Sequence, residues 1–180
     1  MIYYPSGCDV LVPAHLCDPC EAKEKARVSG VAFIRTSFEF VDPTDPVEWQ
    51  TGLNAEDIIL IPEVLGSFDG GSEVESAGYG RQSTNLTGYN FVLNFKDPNY
   101  KQNGDYYNAL KNSRAFKVAF VTSSQLHISD DAVSVIPKNP ITENLTDDVV
   151  WDVTVKWAGP DLVTPGDIPA GIFGECFTVA

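Results

Sequence analysis

In Val149-Val150-Trp151-Asp152-Val153-Thr154-Val155-Lys156-Trp157, apolar side chains at 149, 151, 153, 155 and 157 alternate with Asp152, Thr154 and Lys156. A period of two belongs to a strand with one face in a core and the other in water. A helix would scatter those five positions around its circumference. The segment is therefore an amphipathic strand, and the rest of the chain is best read as its partners.

Upstream, Phe91, Leu93 and Phe95 alternate with Asn94 and polar flanks, and Phe116, Val118 and Phe120 repeat the pattern around Lys117. Leu126-His127-Ile128 and Val133 to Ile136 flank Ser129-Asp130-Asp131 and read as a hairpin. Val31-Ala32-Phe33-Ile34 and Ser37 to Val41 are β-rich runs ending at the breaker Asp42-Pro43. Asp42 to Pro46 then turns into a short helical or looped segment at Val47-Glu48-Trp49. Ile58 to Ile61, closed by Pro62, reads as a strand buried on both faces, and Ile172 to Val179 as a final strand. Asp105 is placed to cap a short helix over Tyr106–Asn112, with Tyr106 and Leu110 on one face. About nine strands at this spacing predict a mainly β domain, an antiparallel sandwich or rolled barrel with one short flanking helix.

One segment departs from the pattern. Between Gly66 and Gly88, six of 23 residues are glycine and most of the others are small or polar. Inside a compact domain, such a length is usually functional, so an extended interaction loop or long hairpin is expected. Phe68, Val74, Tyr79, Arg81 and Leu86 are the spaced side chains expected to touch a neighbouring molecule. Residues 28–180 are expected to form one β-domain carrying this loop, behind an irregular arm at residues 1–27.

The 180 residues carry 25 acidic and 12 basic side chains, a net charge of −13. That balance argues against gripping nucleic acid, which needs a basic stripe to displace counterions. Met1 to Cys8 has no basic or long apolar run of a secretory leader, and no stretch is long and apolar enough for a membrane span. Neither a Gly-x-Ser-x-Gly elbow nor a glycine-rich phosphate loop occurs. His127 beside Ser129 and Asp130 is too local to converge as a triad, so no enzyme is expected. Asp130-Asp131 and Asp147-Asp148 read as solvated turn acids rather than calcium ligands, and the sequons at Asn85 and Asn144 as coincidental. Cys17-Asp18-Pro19-Cys20 has the spacing of half a zinc site, which Cys8, His15 or Cys176 would complete. Plain thiols, with no cofactor, and a disulfide are the other two readings of these cysteines.

The order of elements carries a resemblance. Gly88 to Phe95, Asp97 to Tyr100, Tyr106 to Leu110, Arg114 to Phe120 and Trp151 to Trp157 together resemble tail-tube and neck-ring structural proteins of tailed bacteriophages, and crAss-like phage virion proteins in particular. The resemblance implies a subunit of a homo-oligomeric ring that meets other tail, neck or portal proteins. It also implies a location in the virion, passing DNA touched only non-specifically, and a long loop reaching a neighbour. The rival reading is a carbohydrate-binding sandwich, an adhesin or lectin-like module, with Trp49, Tyr79, Tyr89 and Tyr100 as stacking rings.

Overall fold

Val153, Val155 and Trp157 lie on one buried face, and the strand that bears them pairs along its length with the strand bearing Phe91, Leu93 and Phe95. In the computed structural model, residues 14–16, 20, 23, 25–80 and 84–174 are described. Their elements run β1 (Gly30–Arg35), α1 (Pro46–Asn54), β2 (Ile58–Ile61), β3 (Leu65–Phe68), β4 (Ser72–Ser76) and β5 (Asn85–Asp97). They continue with α2 (Gly104–Leu110), β6 (Phe116–Val121), β7 (Gln125–Ile128), β8 (Ser134–Lys138), β9 (Trp151–Gly159) and β10 (Gly166–Asp167). Two sheets form, ordered β10-β7-β6-β1-β2 and β3-β5-β9-β8, and β4 joins the second by pairing with β5. Every pairing is antiparallel and neither sheet closes into a barrel, so the sandwich is the form adopted.

The main core fills the space between the sheets. β1 and β6 supply Val31, Phe33, Val118 and Phe120, and β5 and β9 supply Phe91, Leu93, Phe95, Val153, Val155 and Trp157. The alternate residues of the first sheet, Ala32, Ile34, Ala119 and Val121, enter a second core with Trp49 of α1 and Ile172. This double burial explains why Val31 to Ile34 is apolar without a break. The outer face of the second sheet is wet, with Asn94 opposite Thr154 and hydrogen-bonded to it at 2.8 Å.

The region around Trp49 resolves as a helix. Asp45 caps it by accepting the Val47 N–H at 2.8 Å, Pro46 opens the first turn, and Trp49 is fully buried with its Nε1–H donated to the Pro43 carbonyl. The fold thus has two flanking helices where one was expected. Ser37 to Val41 is not a strand: Phe38 and Phe40 pack with the second core instead, Phe40 against the Trp49 ring at 4.8 Å. The apolar alternation there is satisfied by packing, without a partner strand. The 126–136 hairpin is also corrected, because β7 belongs to the first sheet and β8 to the second. Ser129 makes the crossing: its buried hydroxyl accepts the Val118 N–H at 2.9 Å and donates to the Asp131 carbonyl. Asn103, not Asp105, occupies the N-cap of α2, and it makes no side-chain cap. The expected final strand begins as a turn at Ile172, and its remainder from residue 175 lies outside the described residues.

A buried carboxylate ties α2 to the second sheet. Asp97 accepts the Tyr107 hydroxyl at 2.7 Å and the Asn99 backbone and side-chain N–H groups at 2.9 and 3.1 Å. Burial first, then the hydrogen bond to Asp97 and its charge, hold the Tyr107 phenol far above its ordinary 10.0. Burial and then Asp97 raise Tyr106 likewise.

Two outcomes follow for stability. Trp157 packs against both Phe68 at 5.7 Å and Phe91 at 5.3 Å, so Trp157→Ala should cost about 3–5 kcal/mol in denaturant unfolding. The raised phenols stay protonated in the fold at a pH where the unfolded chain ionises. Unfolding free energy should therefore hold level up to about pH 10 and fall above it. Tyr106→Phe removes one titrating phenol without unpairing Asp97, and should make that alkaline fall shallower.

Candidate β-ribbon interface

β3 and β4 lie on the same edge of β5, one after the other. Leu65–Phe68 pairs with Leu93–Lys96, and Ser72–Ser76 pairs with Asn85–Asn90. Between them the chain is interrupted at Asp69-Gly70-Gly71. Asp69 bridges the gap: its backbone N–H donates to the Val92 carbonyl at 3.1 Å, and its Oδ1 accepts the N–H groups of both Val92 and Gly71 at 3.0 Å. Gly70 and Gly71 take φ of 79° and 103°, and a Cβ on Gly71 would sit 2.7 Å from the Phe91 ring. Only glycine meets both demands at Gly71.

The ribbon emerges because β5 outruns β9. The last β9 pair is Tyr89 with Gly159, so Asn85 to Gly88 has β4 as its partner among the described residues. The register shifts between Val74 and Glu75, and the Thr87 hydroxyl closes the irregularity by donating to the Val74 carbonyl at 2.8 Å. All five residues of β4 are exposed. The expected long loop is therefore largely strand, in its hairpin form.

The five expected contact residues divide. Phe68 is half-buried, and its ring packs on Phe120 at 4.8 Å, Trp157 at 5.7 Å and Phe91 at 5.9 Å. Its place on β3 sets the ring against the core from the side. Val74, Leu86 and Tyr79 are exposed, at 37%, 51% and 90%. Arg81 lies outside the described residues.

A second feature was invisible in the sequence. At the other end of β5 an open groove of about 1180 Å³ is lined by Leu65, Val150 and Phe173, by the cations Arg27 and Lys96, and by four acids, Glu63, Asp147, Asp148 and Asp152. Its residues come from five separate parts of the chain, so no local pattern announces it.

The other expected sites are placed more briefly. Cys8, Cys17 and Cys176 lie outside the described residues, while Cys20 and His15 are exposed. Among the described residues no group of three or more His, Cys, Asp or Glu side chains is gathered as a metal site would require. Trp49 is buried, Tyr100 packs on Trp151 at 5.4 Å and Tyr89 lies 6.0 Å from Phe91, which leaves Tyr79 as the exposed ring of the four. His127 stacks on Phe120 at 4.9 Å. Among the described residues no helix is long and apolar enough to cross a membrane. No family model, no curated protein and no solved structure matches the chain.

The Asp69 junction can be tested directly. Asp69→Ala should accelerate amide exchange at Val92 and Gly71 and cost about 1 kcal/mol, since two N–H groups lose a charged acceptor near water. Gly71→Ala should cost more, because it adds a clash with Phe91 to an unfavourable φ.

Proposed function

We propose that the protein is a structural assembly subunit whose β4–β5 ribbon packs against a neighbouring copy, as in a ring of a phage tail or neck. The observation that carries this reading is the ribbon itself: two strands beyond the sandwich, with Val74, Leu86 and Tyr79 exposed. A two-stranded hairpin is marginal in water and gains stability when a third surface covers it. Among the described residues β4 pairs with β5 alone, so its outer edge offers backbone groups of the kind that strand addition uses. The net charge of −13 suits a wall around passing DNA, which like charge keeps from adhering. The order of elements resembling tail-tube and neck-ring proteins supports the ring form. The reading assigns no reaction to the chain.

The register supplies a clean variant. Glu73 is the cross-strand partner of Tyr89, so replacing residues 74–88 with a two-residue Asn-Gly turn shortens the ribbon without touching Phe68, Asp69 or the core. The wild type should sediment as a large oligomer at micromolar concentration and form rings in electron micrographs. The shortened variant should stay monomeric with its melting temperature within a few degrees. A wild type that is monomeric at every concentration, or a shortened variant that still assembles, would overturn the proposal.

A further inference from the structure

We infer that the outer face of the second sheet receives the α1 layer of another copy, so that sandwiches stack with one polarity. This rests on the assembly reading above and adds a contact that the ribbon does not make. The strand register fixes which side chains stand on the receiving face. On β3, β5, β9 and β8 the charged ones are Lys96, Lys138 and Lys156, all exposed, and Asp152, which pairs in register with Lys96 on one side and Lys138 on the other. Three positive charges thus stand against one negative, in a chain whose net charge is −13. The margins of the face are acidic: Glu63, Asp147 and Asp148 line the groove beyond Lys96, and Glu73 and Glu75 stand on the ribbon. The lysines occupy the face itself.

The opposite broad face is the α1 layer that covers the first sheet. Residues 36–57 hold six acids, Glu39, Asp42, Asp45, Glu48, Glu56 and Asp57, and no lysine or arginine. Two cations adjoin it. Arg35 pairs with Asp57 at 3.6 Å, and Lys117 lies opposite Ile34 on that side of the sheet. The layer stays negative with both counted. Hydrogen bonds fix where its charges stand. Glu48 accepts the Val41 N–H at 2.9 Å. Asp42 accepts the Thr44 hydroxyl at 2.7 Å and the Thr44 N–H at 2.9 Å, which hold its carboxyl below the ordinary 3.8. Exposed apolar side chains accompany the charges on both surfaces, Val41 and Val47 on the layer, Leu65 and Ile136 on the sheet. Two different, complementary surfaces on opposite sides of one subunit propagate a contact in a single direction. Pairing like faces would set lysine against lysine or acid against acid, so the charges select layer on sheet.

Zero-length crosslinking tests the contact. A mixture of isotopically light and heavy wild type, treated with a carbodiimide at low ionic strength, should give amides between copies that join Lys96, Lys138 or Lys156 to carboxylates of residues 39–57. The triple variant Lys96→Glu, Lys138→Glu and Lys156→Glu should melt with the wild type, since all three positions are exposed. It should raise the apparent Kd of self-association about tenfold or more. Lys101→Glu with Lys111→Glu and Arg114→Glu makes the same change in net charge at exposed positions off the face, and should leave association largely unchanged. Equal losses in the two triple variants would overturn the inference, as would crosslinks that tie the three lysines to carboxylates elsewhere. Either result leaves the ribbon reading to its own test. If the three lysines instead retard a DNA duplex while self-association is untouched, the face serves nucleic acid and the inference falls. A wild type that never associates would defeat both readings together.

Discussion

β1 and β6 present Val31, Phe33, Val118 and Phe120 to one side and Ala32, Ile34, Ala119 and Val121 to the other, so the sheet they centre must be covered twice. One cover is the second sheet, the other the layer of α1 with Phe38, Phe40 and Ile172. The second sheet needs covering once, and its outer face keeps Asn94, Thr154 and Lys156 in water. This asymmetry sets the character of each surface. One broad face is occupied by the chain's own helix, and the other is polar. The ribbon and the groove lie at the ends of the strands.

The ribbon is an outgrowth of the core rather than an ornament on it. Phe68 and Phe91 sit in one aromatic group with Trp157 and Phe120. They flank the Asp69-Gly70-Gly71 junction through β3 and β5, so the packing that stabilises the sandwich also aims the strands that leave it. Aromatic pairs of this kind add about 0.5–1.5 kcal/mol beyond their buried area. Holding the direction of the ribbon is thus tied to folding itself.

The strands of the core were legible because alternation is a local signal: Phe91 to Phe95, Phe116 to Phe120 and Val153 to Trp157 each announce a buried face. Partnership was not legible. The Ser129-Asp130-Asp131 turn looks the same whether it closes a hairpin or carries the chain from one sheet to the other. β4 hid because Ser72-Glu73-Val74-Glu75-Ser76 offers a single apolar side chain, and its strand character comes from pairing with β5. A signal for β3 was present: Val64, Gly66 and Phe68 are two apart, the spacing of one strand face. Val74, Tyr79 and Leu86 were singled out by their spacing and are exposed, whereas the groove that holds Lys96, Arg27 and Phe173 is gathered by the fold alone.

The continuity of β5 through both ribbon and sandwich has a mechanical consequence. A pull on the ribbon along its length runs straight into the nine residue pairs that join β5 to β9. The force lies parallel to those strands and across their hydrogen bonds, so the bonds are strained together in shear instead of opening one at a time like a zip. The β4 side bears differently, because Gly70 and Gly71 interrupt that edge and make a compliant joint beside a stiff rod. A chain built this way holds tension along one line and yields to bending about another.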